Sequence, residues 1–321
     1  MKTRHGIAVA GTVLVDKICE IDTYPRESEL TKIKSISRAV GGCVPNVSID
    51  VKKIAPSLPV LAIGRLGADS DGEFVRQALM SAGVNTYGLV ASREHATGFT
   101  DVMSVPGGQR TFFTHSGANS VFGKIDIDFD TLDVKMLHLG YFLLLDKIDG
   151  GEGLEILREA NERGIKTSID LVSESSDRYS LVIPALRYTD NLIINEIEAS
   201  GITKIAPKVE NLEKMAHVLK EMGVRERVII HTASTSLCLS DEGVTTLPSF
   251  KLQSGYIKGT TGAGDAFSAG ALVGIHDGLS DMELMELASA AATASLSTPD
   301  ATSGLIPKES LLSLTKNMER Q

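Results

Sequence analysis

Segments typical of buried strands alternate with segments typical of amphipathic helices along most of this chain, and this alternation constrains its fold more than any other feature. The strand-like runs are GIAVAG, VLAIGRLG, MLHLGYF, KTSIDL, the start of NLIINEIEA, and RVIIHTA. The helix-like runs between them are NVSIDVKKIA, DGEFVRQALMSAGV, GLEILREANERGI and NLEKMAHVLKEMGV. Strands joined by helices need crossover connections, so the pattern predicts an α/β fold with a mostly parallel sheet. Ligands of such sheets bind beyond the carboxyl ends of the strands.

Two segments break this alternation. Residues 12–35 contain alternating polar and apolar residues without a convincing helix. Residues 96–115 are typical of a hairpin that turns at Gly107 and Gly108. Both segments are expected to form antiparallel strands that stand off the main sheet.

The charge balance of the chain restricts its partners. With 32 basic and 41 acidic side chains among 321 residues, the formal net charge is −9, which argues against nucleic acid or an anionic membrane surface as a partner. A small anionic ligand is compatible with this charge, because a helix N-terminus and one or two basic side chains make a local positive site. No apolar run approaches the ~18 residues of a membrane-spanning helix.

The first residues and the cysteines both favour a cytoplasmic protein. MKTRHGIAVAGTVLV has the basic start and the apolar run of a signal peptide, but glycines and a threonine interrupt the run and Asp16 follows it. A first β-strand is therefore expected there. Cys19, Cys43 and Cys238 are odd in number, lie far apart and fit no zinc spacing, so they are expected to be reduced thiols.

The glycine-rich stretch GTTGAGDAFSAGALVGI, residues 259–275, predicts a helix that begins near Ala263. Gly262 and Gly264 let the backbone turn sharply and bring its N–H groups close to a ligand, and such groups at a helix N-terminus attract anions. Asp265 would lie in the first turn beside that anion site, where it can accept a proton from an attacking hydroxyl. Taken alone, the pattern is equally typical of a helix-start acid after an ordinary loop. It is neither a P-loop nor a dinucleotide-binding fingerprint.

This stretch is similar to the C-terminal signature of the ribokinase-like (PfkB) carbohydrate kinases, and four further elements match that family in its order. GTVLVD resembles the first strand with its terminal acid, GGCVPNVS the G-G-x-x-x-N-x-A element, THSGAN the G-A-N element after the lid hairpin, and NEIE the N-x-x-E element. The resemblance extends from about residue 6 to 310. It implies a three-layer α/β/α core with a mostly parallel central sheet and a small β-strand lid.

The resemblance also divides the chain into two parts. The kinase core would comprise residues 1–11, 37–95 and 118–321, and the lid would comprise residues 12–36 and 96–117. Closure of such a lid excludes water from the reacting phosphate. Because exposed edge strands invite pairing, a homodimer formed through the lid is expected.

The family's catalytic and sugar-binding roles carry over to particular residues. The resemblance makes Asp265 the base that deprotonates a primary hydroxyl of the sugar. It makes the backbone of Gly262, Ala263 and Gly264 the anion hole for the transferred phosphoryl group. Residues implied to bind the sugar or shape its pocket are Asp16, Gly41, Gly42, Asn46 and Asn119. Alternatively, Asp16 simply ends a strand, and the glycine pair forms an ordinary strand-to-helix turn.

Further candidates lie on the phosphate side. Asn195 and Glu198 are implied to act near the phosphates and the Mg²⁺ shell, Glu198 largely through water; alternatively, Glu198 is a solvated helix acid. Arg110 follows the hairpin turn in GGQRTFF. It reaches either a phosphate or an anionic substrate from the lid, or it is a solvated hairpin charge.

The nucleotide side departs from the family pattern. Relatives carry a strand followed by T-x-G-x-x-G, whereas this chain has IIHTASTSL, with small residues in place of the glycines and a histidine in place of threonine or lysine. Gly259 stands where relatives have an aspartate that helps to bind a monovalent cation, so potassium activation is in doubt. The expected nucleotide contacts are Asn195, Glu198, His231, Ala233, Ser236, Thr260 and Thr261.

These features predict an ATP- and Mg²⁺-dependent kinase that phosphorylates a primary hydroxyl of a fructose-like or pentose-like sugar. The strand segment HLGYFLLLD has no acid within the strand, where ribose-specific relatives tend to place one, so the sugar stays undetermined. Two alternatives stay open. One is a nucleoside kinase of the same fold, and the other is a sugar-binding regulatory protein that has lost the use of ATP, which the altered nucleotide loop and Gly259 motivate.

Overall fold

The computed structural model describes residues 4–105, 110–174 and 176–321, and the predicted turn at Gly107 and Gly108 lies outside them. Within the described residues, thirteen strands form two sheets. In chain order they are β1 (Ile7–Gly11), β2 (Leu14–Ile21), β3 (Ile33–Gly41), β4 (Val60–Gly67), β5 (Asn85–Ser92), β6 (Gly98–Ser104), β7 (Arg110–His115), β8 (Met136–Phe142), β9 (Lys166–Leu171), β10 (Asn191–Asn195), β11 (Arg227–His231), β12 (Thr235–Ser240) and β13 (Gly243–Pro248).

Nine of these strands form the central sheet, in the order β13-β12-β11-β10-β9-β8-β1-β4-β5. The strands from β11 to β5 are parallel, and β12 and β13 add an antiparallel hairpin at one edge. The predicted mostly parallel sheet is therefore confirmed. The chain builds outward from β1 to β4 and β5, and then returns to the other side of β1 to add β8. This reversal creates a crevice at the carboxyl ends of β1 and β8, where Gly11 and Gly140 are paired.

Helices cover both faces of this sheet. They are α1 (Cys43–Ile54), α2 (Ser70–Ser81), α3 (Gly153–Glu162), α4 (Ile183–Leu186), α5 (Glu196–Thr203), α6 (Leu212–Glu221), α7 (Ala263–Asp277), α8 (Asp281–Ser295) and α9 (Lys308–Thr315). Ile7 and Val9 of β1 pack with α1, α7 and α8, whereas Ala8 and Ala10 pack with α3, α5 and α6. This period of two is what a strand buried on both faces produces. The predicted three-layer α/β/α arrangement is confirmed.

The two segments that interrupt the alternation combine into a separate four-stranded sheet, in the order β3-β2-β6-β7, which we call the small sheet. β2 and β3 are antiparallel, as are β6 and β7. The middle pair, β2 and β6, is parallel, which corrects the expectation of antiparallel strands throughout. β2 and β6 can pair in parallel because β3, α1, β4, α2 and β5 lie between them in the sequence. This gives the chain the length that a parallel connection needs. β3 continues beyond residue 36 to Gly41, and α1 follows at Cys43.

Two further expectations concern the cysteines and the membrane. Cys19, Cys43 and Cys238 are all buried and free, as expected for reduced thiols. Among the described residues, no helix combines the length and the apolar character that crossing a bilayer requires.

Candidate active site

The catalytic candidate Asp265 lies where two helix N-termini meet the crevice beside β1. α1 follows Gly42, which has a left-handed φ of 87° and whose Cβ, if present, would lie 2.6 Å from the carbonyl oxygen of Thr12. α7 follows Gly262, which has a left-handed φ of 80°. Asp265 occupies the first turn of α7 and is only 5% exposed. The predicted helix start at Ala263 is confirmed.

The carboxylate of Asp265 is held by two hydrogen-bond donors. Asn46 Nδ2 of α1 donates to its Oδ2 at 2.9 Å, and the Tyr141 hydroxyl lies 3.0 Å from Oδ1 and 3.1 Å from Oδ2. Burial raises the pKa of Asp265 to about 7, and the charge of Asp170 adds to this rise, while the bonds from Asn46 and Tyr141 oppose it. A carboxylate in this balance can accept a proton near neutral pH.

Tyr141 is a site residue that the sequence did not reveal. It lies in β8 with a φ of 60°, a left-handed conformation that is uncommon for a bulky residue and often marks a functional position. Its backbone N–H donates to Asp170 Oδ1 at 2.6 Å. The preceding residue, Gly140, allows α1 to pack closely against β8, since a Cβ on Gly140 would lie 1.9 Å from Cys43 Sγ. The tyrosine is visible in the strand segment HLGYFLLLD, but the prediction for this segment concerned only the absence of an acid.

Asp170 of β9 is the second residue that sequence reasoning missed. His138 Nε2 lies 3.3 Å from its Oδ2, and Cys43 Sγ lies 3.9 Å from the same atom. His138 Nδ1 lies 2.9 Å from Ser168 Oγ on the far side of the ring. Burial and the charge of Asp170 raise the pKa of Cys43 well above its ordinary value, so it is a neutral thiol. This buried network fixes the Asp170 carboxylate beside the catalytic candidate.

Asp16 of β2 presents its carboxylate to the same region. It accepts no hydrogen bond from the described residues, and burial raises its pKa to about 6, while the charge of Arg110 lowers it. A Cβ at Gly41 would lie 2.7 Å from Asp16 Oδ2, so only glycine allows this approach. Arg110 donates from Nη1 to Thr261 Oγ1 at 2.7 Å. Arg110 therefore reaches the loop before α7 and is not a solvated hairpin charge.

Asn119 is buried and joins the two sheets. Its Oδ1 accepts from the N–H of Val13 at 2.9 Å, and its Nδ2 donates to the Val13 carbonyl oxygen at 2.8 Å. Val13 lies between β1 of the central sheet and β2 of the small sheet. Asn119 thus fixes the backbone that leads to Asp16, and both polar atoms of its amide are used in doing so.

The predicted anion-hole residues occupy the turn that starts α7. A Cβ at Gly262 would lie 2.4 Å from the Cβ of Ala301, so this position requires glycine. At Gly264 the nearest atom to a Cβ would be His231 Cε1, at 3.8 Å. The N–H of Ala263 donates to the carbonyl oxygen of Thr260 at 3.4 Å. N–H groups in the first turn of a helix have no acceptor within the helix and can bind an anion.

Two cavities meet at this turn. The smaller, about 180 Å³, is lined by Asp265, Gly262 and Gly264, together with Tyr141, Asp170, Asn195, Glu198 and His231. The larger, about 570 Å³, is lined by four of the predicted nucleotide contacts, His231, Ala233, Ser236 and Thr260, and by the predicted anion-hole residues Ala263 and Gly264. His231 and Gly264 line both cavities, so the two cavities are neighbours on either side of the start of α7.

Asn195 and Glu198 form a hydrogen-bonded pair at the start of α5. Asn195 Oδ1 accepts from the Glu198 N–H, and Glu198 Oε2 accepts from the Asn195 N–H, which is a capping box. Ser173 Oγ also donates to Glu198 Oε1, at 2.8 Å. Glu198 is buried, which excludes a solvated helix acid, and burial raises its pKa to about 8.

His231 lies at the end of β11 beside α7. Its ring packs on that of Phe267, with centroids 4.8 Å apart. Burial lowers its pKa to about 4, so the ring is neutral near pH 7. The ring can form a hydrogen bond but carries no positive charge.

Gly259 packs closely against the loop after α8. A Cβ there would lie 2.8 Å from the carbonyl oxygen of Pro299 and 2.9 Å from that of Thr298. The backbone of this loop therefore leaves no room for an aspartate at this position.

Three comparisons relate this chain to known proteins. A family model described as pfkB family carbohydrate kinase matches residues 6–309. Ribokinase of Arabidopsis thaliana is 24% identical over 97% of this chain and 81% of its own length, and adenosine kinase of Saccharomyces cerevisiae is 25% identical over 78% and 75%. A structure of Arabidopsis thaliana ribokinase complexed with ribose and ATP superposes with a TM-score of 0.84 at 23% identity, covering 98% of this chain and 99% of that one.

Proposed function

The chain belongs to the PfkB family of carbohydrate kinases, and from this premise we propose that it transfers the γ-phosphate of ATP to a primary hydroxyl of a sugar, with Asp265 as general base. The observation that carries this proposal is the setting of Asp265. Its buried carboxylate, with a pKa of about 7, lies at the start of α7 beside both the candidate sugar residues and the 180 Å³ cavity. A base with a pKa near the working pH accepts a proton effectively.

In the proposed step, the substrate hydroxyl gives its proton to Asp265 while its oxygen attacks the γ-phosphorus. The bond from that phosphorus to the β–γ bridging oxygen breaks, and ADP leaves with the electron pair. The backbone N–H groups of Gly262, Ala263 and Gly264 stabilise the charge on the transferred group. Arg110, which bonds Thr261, adds positive charge beside them.

The residues of the smaller cavity fit a magnesium ion. Asp170, Asn195 and Glu198 all line it and carry side-chain oxygen atoms, which are the ligand atoms that Mg²⁺ prefers. When bound, Mg²⁺ neutralises charge on the phosphates. We assign Glu198 an indirect role through water. A nearby cation would favour its ionised form and offset the burial that raises its pKa.

The residues around Gly259 fit a potassium ion less well than the smaller cavity fits a magnesium ion. Gly259 supplies no carboxylate, and the carbonyl oxygens of Pro299 and Thr298 occupy the space that a side chain would need. We derive no step through a monovalent cation.

We further propose that the small sheet is a lid over the substrate. It covers most of the predicted lid residues 12–36 and 96–117, and β3 extends it to Gly41. The bond from Arg110 of β7 to Thr261 supports this role, since it connects the small sheet to the anion-hole turn. Closure would exclude water and limit ATP hydrolysis. We also infer a homodimer formed through this sheet.

A nucleoside remains the second candidate for the acceptor, and the similarity to yeast adenosine kinase favours keeping it. A regulatory protein without ATP use receives less support. The 570 Å³ cavity is lined by the altered residues Ala233 and Ser236, and it is continuous with the anion-hole turn through Gly264.

A coupled ADP-release assay with ATP and Mg²⁺ tests the proposal against ketoses, aldoses, sugar phosphates and nucleosides. Turnover of one class by the natural protein, and its loss in Asp265→Asn, would support it. Turnover that persists in Asp265→Asn would contradict the assignment of the base.

A further inference from the structure

Three buried side chains beside the catalytic candidate bring sulfur, nitrogen and oxygen atoms together. They are Cys43 at the start of α1, His138 in β8 and Asp170 in β9. His138 Nε2 lies 3.3 Å from Asp170 Oδ2, and Cys43 Sγ lies 3.9 Å from the same oxygen. The three atoms lie within 4.8 Å of one another, and the described part of the chain holds no second cluster of this kind.

These separations are close to those between the ligands of a tetrahedral zinc ion. Zinc bonds are about 2.0 Å long to nitrogen or oxygen and about 2.3 Å to sulfur, which sets the ligand edges at about 3.3 Å for N–O and about 3.5 Å for S–O. The observed distances are 3.3 Å for N–O and 3.9 Å for S–O. The cluster therefore needs only a small contraction to hold a zinc ion.

The outer hydrogen bonds of the cluster also suit a metal. His138 Nδ1 lies 2.9 Å from Ser168 Oγ, and a serine hydroxyl can accept as well as donate. When Nδ1–H donates to Ser168, the lone pair of Nε2 is free for a metal, which is the usual arrangement of a metal-binding histidine. Asp170 Oδ1 accepts from the Tyr141 N–H at 2.6 Å, which leaves Oδ2 as the ligand atom.

The surroundings of Cys43 favour a cation. Burial and the charges of Asp170 and Asp265 all raise the pKa of its thiol, so the charges that act on it are negative. A divalent ion offsets these charges, and a thiol that coordinates it loses its proton. A Cβ on Gly140 would lie 1.9 Å from Cys43 Sγ and 3.1 Å from Asp170 Oδ1, so glycine is required for this approach.

The mixture of ligand atoms selects the metal. Sulfur, nitrogen and oxygen together suit Zn²⁺, whereas Mg²⁺ and Ca²⁺ prefer oxygen atoms alone. We propose that Cys43, His138 and Asp170 form a zinc site, and that zinc bound there inhibits the proposed kinase. Binding releases the thiol proton to solvent and forms bonds to Cys43 Sγ, His138 Nε2 and Asp170 Oδ2, with water as the fourth ligand.

Inhibition follows from the position of Asp170, and this part of the inference rests on the proposed function. Asp170 lines the 180 Å³ cavity with Asn195 and Glu198, so it belongs to the oxygen atoms that fit magnesium. A carboxylate bound to zinc is less available to a second cation, and the charge of zinc repels that cation. Tyr141 connects the two sites, because its N–H bonds Asp170 and its hydroxyl bonds Asp265.

The first test measures binding without turnover. The natural protein is dialysed against a chelator and titrated with Co²⁺, which occupies tetrahedral zinc sites and reports a sulfur ligand by thiolate-to-cobalt absorption in the near ultraviolet. We expect one equivalent of cobalt to produce this absorption and one equivalent of zinc to abolish it. Absence of the absorption would overturn the site, because a metal held only by oxygen atoms of the cavity does not produce it.

A pair of cysteine variants tests the sulfur ligand. Cys43→Ser is expected to remove the absorption and to weaken zinc binding by about 100-fold or more, because loss of even an outer partner costs about 10- to 100-fold. Cys238→Ser is the matched control, since both thiols are fully buried, and it is expected to change neither property. Absorption that persists in Cys43→Ser would overturn the assignment of Cys43, as would its loss in Cys238→Ser.

Ser168→Ala tests the histidine and leaves all three ligands in place, so it also decides the matter if Cys43→Ser does not fold. It removes the outer hydrogen bond of His138, and zinc binding measured by calorimetry is expected to weaken by about 10- to 100-fold. An unchanged zinc affinity would overturn His138 as a ligand.

ADP release in excess Mg²⁺ separates this inference from the proposed function. With an accepted substrate, we expect zinc to inhibit the natural protein and Cys238→Ser, and inhibition of Cys43→Ser to need about tenfold more zinc or higher. Equal inhibition of the natural protein and Cys43→Ser would overturn the regulatory role. Cobalt absorption without ADP release from any compound would contradict the kinase and support the metal site.

Discussion

At the scale of single residues, the ionisation of Asp265 decides when the proposed reaction can proceed. Burial raises its pKa to about 7, and only the unprotonated form is a base. We therefore expect kcat/KM to fall about tenfold for each pH unit below about 7 and to level off above it. A pH profile of ADP release measures this. A profile that stays flat far into the acid range would contradict the assignment.

Replacement of this carboxylate gives the second prediction. Asp265→Asn keeps the size of the side chain but cannot accept the proton, so turnover is expected to fall by about 10² to 10⁴. Sugar binding, measured by calorimetry, is expected to persist, because Asp16 and Asn46 are unchanged. Loss of binding together with turnover would assign Asp265 a binding role instead.

Two neighbours of Asp265 should shift its titration in opposite directions. Tyr141→Phe removes a hydrogen bond that lowers the pKa of Asp265, so the acid limb of the profile should move to higher pH. Asp170→Asn removes the charge that raises this pKa, so the acid limb should move to lower pH. The comparison of the two profiles is the measurement. Movement in the same direction would show that another group controls the limb.

At the scale of elements, the turn before α7 combines two glycines with different requirements. Gly262 has a left-handed φ of 80°, and a Cβ would lie 2.4 Å from that of Ala301. Gly262→Ala is therefore expected to destabilise the fold by about 1–3 kcal/mol. In a chain of this size, the melting temperature would fall by roughly 1–2 °C per kcal/mol.

Gly264→Ala is the matched control for this prediction. No atom lies closer than 3.8 Å to the new Cβ, so the melting temperature is expected to stay the same or to rise slightly. The methyl group projects toward both cavities, however, and the KM for ATP is expected to increase. Equal destabilisation by the two substitutions would show that backbone strain at Gly262 is unimportant.

Elements with a clear helical period or a short continuous apolar run were predictable from the sequence, whereas α8 was not. The runs MLHLGYF and KTSIDL match β8 and β9 in full, because buried parallel strands are continuous apolar runs. α8 was not predicted from the sequence. Its alanines let it pack closely against α7, where a Cβ on Gly270 would lie 2.7 Å from the Cα of Ala288. Such a helix shows little contrast between polar and apolar faces.

The residues of the candidate site also fall into those that the sequence indicated and those that it did not. The resemblance to the family pointed to Asp265, Asn46 and Glu198, because the motifs that carry it are short local features of the sequence. Tyr141 and Asp170 were not predicted as site residues. Their contact depends on the pairing of β8 with β9, and the two strands are far apart in the sequence.

At the scale of the whole molecule, the small sheet is linked to the core at the site itself. Asn119 pairs with Val13 between the two sheets, and Arg110 reaches Thr261 before α7. A movement of the small sheet would therefore change both the sugar side and the anion-hole turn. This coupling is why we expect substrate closure and phosphate binding to be linked.

The small sheet also carries the last prediction, which concerns assembly. Ile36 of β3 is 70% exposed and Phe113 of β7 is 59% exposed. Strand pairing aligns Asp16 with Thr100, and Thr100 with Thr114, so Phe113, the next residue along, lies on the opposite face of the sheet. Exposed apolar side chains on edge strands favour contact with a second copy.

We therefore expect the natural protein to scatter light as a dimer at micromolar concentration, and the double variant Ile36→Glu, Phe113→Glu to scatter as a monomer. Ile125→Glu is the matched control, because Ile125 is 82% exposed but lies outside the small sheet. This control is expected to stay dimeric, since only the small-sheet charges would be buried without partners in the interface. A monomeric natural protein would contradict the dimer, and a dimeric double variant would place its interface elsewhere.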